Sequence, residues 1–187
     1  MSGPGGTTAG MFETEELLTQ LGTIDLDESL QVRLKTHPLS STMDALCEHA
    51  GPFRAARTIC CACTSGVAAI SLAAAWIRSG RAERVLAGGA DALCRLTYSG
   101  FGCLAVLDPT LCRPFDRTRA GLNLGEGAGF LVLESEDAAR ARGAARLADV
   151  VGYGLGGEAH HITNPEPGGK TGARIMRPSA KRPDVSR

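Results

Sequence analysis

The sequence predicts an α/β protein, and three stretches carry that prediction. Residues 58–62 (TICCA) are a brief β-branched and thiol-rich run suited to a buried strand. Residues 65–78 set Val67, Ala68, Ile70, Ser71, Ala74, Ala75 and Ile77 at helical spacing, the mark of a helix packed closely on both sides. Residues 84–90 (RVLAGGA) are short, apolar and bounded by charges and glycines, the composition of a parallel strand buried on both faces. Strand, helix and strand in that order make one βαβ unit. With 187 residues, 43% of them apolar, the chain is long enough to bury roughly two-thirds of its unfolded surface.

Taken from the start, residues 3–10 (GPGGTTAG) form a Gly/Thr connector in which no regular element is expected. Residues 13–21 (ETEELLTQL) place acidic groups ahead of Leu17, Leu18 and Leu21, a short amphipathic helix with its dipole satisfied. A second helix is expected over 41–49, and Gly80 closes the one over 65–78. Four glycines within 121–129 lead into Phe130-Leu131-Val132-Leu133, read as a buried strand approached closely by other backbone. From Lys170 the composition changes. Residues 170–187 carry a net +5, offsetting −5 over 1–169, and lack periodicity. A domain over 1–169 followed by a disordered basic tail is therefore expected.

Lys plus Arg and Asp plus Glu each total 20, so no net field favours nucleic acid or an anionic membrane as partner. The longest apolar-rich stretch, 66–77, falls well short of the ~20 residues that span a bilayer, and no charged-then-apolar signal opens the chain. A cytoplasmic location is expected. The seven cysteines (47, 60, 61, 63, 94, 103 and 112) are odd in number and read as free thiols. Cys60 and Cys63 form a C-x-x-C, but no second ligand pair follows at similar spacing, so no metal is expected.

The βαβ reading puts the loop Ala62-Cys63-Thr64-Ser65-Gly66 where a strand ends and a helix starts. Backbone N–H groups and the helix dipole stabilise negative charge there and offer donors to an oxyanion, so Cys63 reads as a reactive thiol. The alternative is that Cys60, Cys61 and Cys63 are small core hydrophobes. Ser65 lacks the glycine two residues before it that a hydrolase elbow requires. Gly125, Gly127 and Gly129 are followed by a strand, not the helix that a dinucleotide fingerprint opens. Within them, Glu126 reads as a catalytic acid or as a buried carboxylate anchored by N–H groups or a basic partner. Arg113 and Asp116 flank Pro114 and Phe115 in a turn that a charge pair would pin.

From Thr58 to Pro167 the chain resembles the β-ketoacyl-acyl-carrier-protein synthases, condensing enzymes of the thiolase-like superfamily. The resemblance rests on five motifs in order: Ala62-Cys63-Thr64-Ser65-Gly66, Gly88-Gly89-Ala90-Asp91, Cys112-Arg113-Pro114-Phe115-Asp116, Leu124-Gly125-Glu126-Gly127-Ala128-Gly129 and Ala139-Arg140-Ala141-Arg142-Gly143-Ala144. Gly6-Thr7-Thr8 with Met11-Phe12, and Ala159-His160-His161-Ile162-Thr163, also look like segments of that family.

The resemblance implies a partial thiolase-like layered fold, a mixed sheet with packed helices. It implies acyl transfer from a phosphopantetheine thioester to Cys63, then Claisen condensation with the carbanion of a decarboxylated malonyl group, in fatty acid or polyketide synthesis. Phe115 would lie beside the substrate and Thr163 beside the pantetheine arm. No cofactor of its own is implied, the substrates being carried on acyl carrier protein, and the chain would pair as a homodimer. The double histidine 160–161 is not taken as a general base, because the family's two catalytic histidines and lysine lie in a second half. That half is expected to be missing here, as are the first strand and helix, so the chain alone is expected not to condense malonyl and acyl thioesters. A partner subunit without catalysis, or a degenerate fragment, is the alternative, and the presence of Cys63 argues against the first of these.

Overall fold

The computed structural model describes residues 2–5, 9–20, 22, 28–161 and 164–180. Strand β1 (Ser2–Gly5) comes first, then helices α1 (Met11–Thr19), α2 (Glu28–Leu34), α3 (Ser41–Ala50) and α4 (Ser65–Arg78). Strand β2 (Arg84–Asp91), helix α5 (Arg95–Cys103), strand β3 (Gly127–Glu134) and helices α6 (Glu136–Ala141) and α7 (Lys170–Ala180) complete the order. The strands form one mixed sheet in the order β1-β2-β3, with β1 parallel and β3 antiparallel to β2. Helix α4 packs across it. Ala73 and Ala74 of α4 meet Val85 and Ala87 of β2 and Leu133 of β3 in the core, with Ile70, Trp76 and Ile77 closing around them. Alanines on the buried face let the helix axis lie close to the strands, and Val85 and Ala87 are the best shielded of these positions at 1% and 0% exposure. Val67 departs from the sequence reading, because it faces solvent at 60% exposure.

Helices α4 and α6 end in the same way, on a glycine at positive φ. In α4 the Gly80 N–H donates to Ile77 O and the Arg81 N–H to Trp76 O, with Gly80 at φ +70. In α6 the Gly143 N–H donates to Arg140 O and the Ala144 N–H to Ala139 O, with Gly143 at φ +65. This is the paired bonding of a left-handed C-terminal cap, which a side chain would strain. The Ala139–Ala144 motif is thus the cap of α6. Its Arg142 returns to Glu134, donating from Nε at 3.0 and 3.1 Å and from Nη2 at 2.6 Å, while Arg84 Nε donates to the same carboxylate.

The Arg142 and Arg84 bonds hold the Glu134 carboxyl down at about 2. A depressed folded value means stability that is present above the usual carboxylate value of 4.5 and lost as pH falls toward about 2. Glu134→Gln is therefore expected to destabilise the protein at neutral pH, with the gap to wild type shrinking across that acid window in chemical denaturation. A gap that stays constant with pH would contradict the assignment.

Four sequence expectations are corrected. Residues 58–62 are not a buried strand: Cys60, Cys61 and Cys63 are exposed, and Cys61 and Cys63 enter only an isolated bridge. The parallel neighbour of β2 is instead Ser2–Gly5, inside the stretch read as a connector, with Pro4 opposite Gly88 and Gly5 opposite Gly89. Proline and glycine are poor strand formers, but an edge strand tolerates both. Strand β3 is shielded only near its end: Leu133 is buried, while Leu131 on the same face and Val132 on the other are about half exposed at 52% and 57%. Of the disordered tail expected over 170–187, Lys170–Ala180 is instead a helix, in which Ile175 reaches over Gly154 and Gly156, where an added Cβ would come within 2.7 Å of it, and residues 181–187 lie outside the described residues.

The acidic residues of α1 serve a second helix. Glu15 accepts from the Arg95 N–H at 2.7 Å and the Leu96 N–H at 2.6 Å, so its carboxylate caps α5, and Glu16 pairs with the Arg95 guanidinium at 2.6 Å. Cys94, the buried residue before α5, adds its Sγ as acceptor of the Thr97 N–H.

Candidate active site

Helix α4 begins in a turn that its own side chains hold shut. The Thr64 N–H donates to Cys61 O at 3.2 Å, and its hydroxyl donates to the same oxygen at 2.8 Å. Ser65 sits one residue on, buried at 3% exposure. Its Oγ donates to Ala62 O at 2.6 Å and accepts from the Cys61 N–H at 2.8 Å. Between these anchors Ala62 lies at φ +49, a strained conformation for a residue with a Cβ. The consequence is an exposed Cys63 held immediately before the Thr64 N-cap. Thr64 makes no side-chain cap bond, while the Ser65 N–H, the first amide of the helix, donates to Ala62 O at 3.0 Å. The motif read from sequence as a thiol at a helix start is found there. Ser65, which sequence reasoning treated only as a rejected nucleophile, is the residue that secures it.

Because three thiols of this loop are exposed, exposure alone does not single one out, whereas proximity to the helix start does. Cys63 is expected to react with iodoacetamide ahead of the other six cysteines at neutral pH. Peptide mapping that finds Cys60 or Cys61 alkylated first in the folded protein would refute the assignment.

The two glycine motifs lie side by side. Gly89 pairs with Gly129, Ala90 with Ala128 and Asp91 with Gly127, and a Cβ on Gly88 would stand 2.1 Å from Gly129 O. Glu126 accepts the Leu93 N–H at 3.3 Å, which ties the entry of β3 to the exit of β2. It is an anchored carboxylate as one reading had it, but an exposed one, not buried.

Arg113 and Asp116 are joined by a backbone bond, the Asp116 N–H donating to Arg113 O at 3.1 Å, and not by an ion pair between their side chains. Thr118 stands between them: Arg113 donates to Thr118 Oγ1 at 3.0 Å and to its carbonyl at 2.7 Å. Asp116 Oδ1 accepts the Thr118 N–H and hydroxyl, both at 2.6 Å, and these bonds hold its carboxyl below the usual carboxylate range. Phe115 is thereby carried at φ +66 on the tip of the turn, its side chain fully exposed. Behind it, Asn123 joins the two ends of the loop, donating to Asp108 O at 2.9 Å and Thr110 O at 3.0 Å and accepting the Cys112 N–H at 2.7 Å. Asp108 is buried, and the Thr110 N–H and hydroxyl lower its carboxyl below the ordinary value. Sequence reasoning missed Thr118 and Asn123, because a lone Thr and Asn carry no signal until the loop ends they join are known.

No hydrogen bond or ring contact joins Phe115 to Cys63 among the described residues. Thr163, expected beside the pantetheine arm, lies outside the described residues. His161 Nδ1 takes the Asn164 N–H at 3.0 Å, a local bond. Among the described residues no group of three or more His, Cys, Asp or Glu side chains is placed to hold a metal ion, and no helix is long and apolar enough to cross a membrane.

Comparison with known proteins bears directly on this geometry. Residues 6–139 match the family described as Beta-ketoacyl synthase, N-terminal domain. A 3-oxoacyl-[acyl-carrier-protein] synthase 2 of Staphylococcus aureus is 41% identical over 121 residues, covering 62% of this chain and 30% of that protein. One of the same name from Rhizobium meliloti (strain 1021) is 41% identical over 133 residues, covering 67% and 32%. The chain thus spans about a third of the length of these relatives. Among solved structures, the ishigamide ketosynthase/chain length factor superposes with a TM-score of 0.82 at 34% identity, over 95% of this chain and 44% of that one. A type II PKS ketosynthase in complex with its acyl-carrier protein superposes with a TM-score of 0.84 at 28% identity, over 95% and 47%. The mixed sheet with packed helices is therefore a partial ketosynthase fold.

Proposed function

Since the chain belongs to the β-ketoacyl synthase family, we propose that Cys63 accepts an acyl group from a phosphopantetheine thioester as the first half of a Claisen condensation. The sulfur of Cys63 attacks the thioester carbonyl, the carbonyl oxygen carries the negative charge of the tetrahedral intermediate, and the pantetheine thiol leaves. Donors at the start of α4 are suited to that oxygen, because they are set by the fold before the reaction begins. In the second half, a carbanion from a decarboxylated malonyl group displaces Cys63 from the acyl group, in fatty acid or polyketide synthesis. The observation that carries this reading is the exposed Cys63 at the head of α4, in a turn held by Thr64 and Ser65.

Acyl carrier protein is the substrate-bearing partner in this reading, and it matches the complex named for one structural neighbour. Phe115 supplies apolar surface toward the acyl chain, and Thr163 is assigned to the pantetheine arm. The protein needs no cofactor of its own in this scheme and acts in the cytoplasm, without nucleic acid or membrane. Incubation with an acyl-pantetheine thioester tests it, read by intact mass and peptide mapping. One acyl adduct, on Cys63 and released by hydroxylamine, is expected. A non-catalytic partner subunit, the alternative that chain length factors among the neighbours illustrate, would carry no adduct.

Assembly as a homodimer belongs to the same proposal. Strand β3 ends the sheet among the described residues and exposes Leu131 and Val132, an apolar edge of the kind that recruits another chain. Light scattering at micromolar concentration is expected to show a dimer or larger species. A monodisperse monomer of 19.4 kDa would contradict it.

A further inference from the structure

Resting on the reading of Cys63 as the acyl-accepting thiol, we propose that its loop is also an oxidative modification site, at which a hydroperoxide closes a reversible Cys60–Cys63 disulfide. Three of the seven cysteines fall within 60–63, and all three are exposed. The backbone selects between the two possible partners of Cys63. Cys61 is held at both of its polar groups, its N–H by Ser65 Oγ and its carbonyl by Thr64, and a bond to it would close the smaller ring across the strained Ala62. Cys60 lies outside those bonds, at the C-x-x-C spacing from Cys63.

The chemistry balances in two steps. The Cys63 sulfur attacks the hydroperoxide, the O–O bond breaks, an alcohol or water leaves, and the thiol is oxidised to sulfenic acid. The Cys60 sulfur then attacks that sulfenic sulfur, the S–O bond breaks, water departs, and the S–S bond forms. The two electrons removed from the thiols reduce the peroxide. The disulfide occupies the sulfur that acylation needs, and it also spares Cys63 from further oxidation to sulfinic acid, which thiols do not reverse.

The full chain treated with hydrogen peroxide tests this by peptide mapping. Loss of two hydrogens across a Cys60–Cys63 link is expected, reversed by dithiothreitol. Acylation should fall at least about tenfold after peroxide and recover on reduction. In Cys60→Ser, Cys63 is expected to collect two oxygens irreversibly, while the reduced variant acylates as wild type does. Sulfinic acid at Cys63 in the wild type without a disulfide, or a Cys61–Cys63 link, would overturn the proposal. Absence of any adduct on reduced wild type would instead sink the acyl-transfer reading, so the two failures are separable.

Discussion

Gly88→Val is expected to lower stability by about 3 kcal/mol or more, a fall of roughly 6–12 °C in Tm for a chain of this size. The added side chain has nowhere to go. Its Cβ would stand 2.1 Å from Gly129 O and 2.7 Å from Phe130 Cα, and both are backbone or backbone-fixed atoms of the paired strand β3. A flexible side chain would swing aside, but a strand held over eight residue pairs does not. Relief therefore requires β2 and β3 to part, which uncovers Val85, Ala87 and Leu133, the centre of the core. Gly100→Ala in α5 serves as the contrast, since nothing lies within 4 Å of its Cβ and a mid-helix alanine is favoured over glycine. Its Tm should be unchanged or higher. Equal losses in the two variants, read by thermal unfolding, would show that close approach at Gly88 is not what the sheet depends on.

Cys63→Ala should reduce acyl-adduct formation by about 10³-fold or more, because no other group in the loop occupies the position before the α4 N-cap. Cys103→Ser, an exposed thiol at the end of α5, is the control and should acylate as wild type does. The readout is the acyl-enzyme mass itself, so it does not depend on turnover. Retention of the adduct in Cys63→Ala, at Cys60 or Cys61, would move the nucleophile and remove the reason for the pinned turn.

What the sequence alone determined is local. The bounds of α4, its close at Gly80 and the strand over 84–90 follow from side chains and hydrogen bonds within a few residues of each other, so their spacing is written along the chain. Cys63 at the head of α4 was legible for the same reason. The pairing of distant segments was decided by the tertiary structure. That Ser2–Gly5 lies beside β2, displacing residues 58–62 from the sheet, depends on which backbone reaches the β2 edge, and glycine and proline do not announce it. Arg113 and Asp116 carry opposite charges three residues apart, yet their side chains are joined through Thr118 and not to each other, because its amide, hydroxyl and carbonyl fall between them only once the loop closes. Glu15 and Glu16 look like first-turn charges for their own helix and instead hold Arg95 and the N–H groups of α5, eighty residues away along the chain. Short-range sterics and bonding are encoded by neighbours, whereas strand partners and remote caps are chosen by what burial of the α4 face brings into contact.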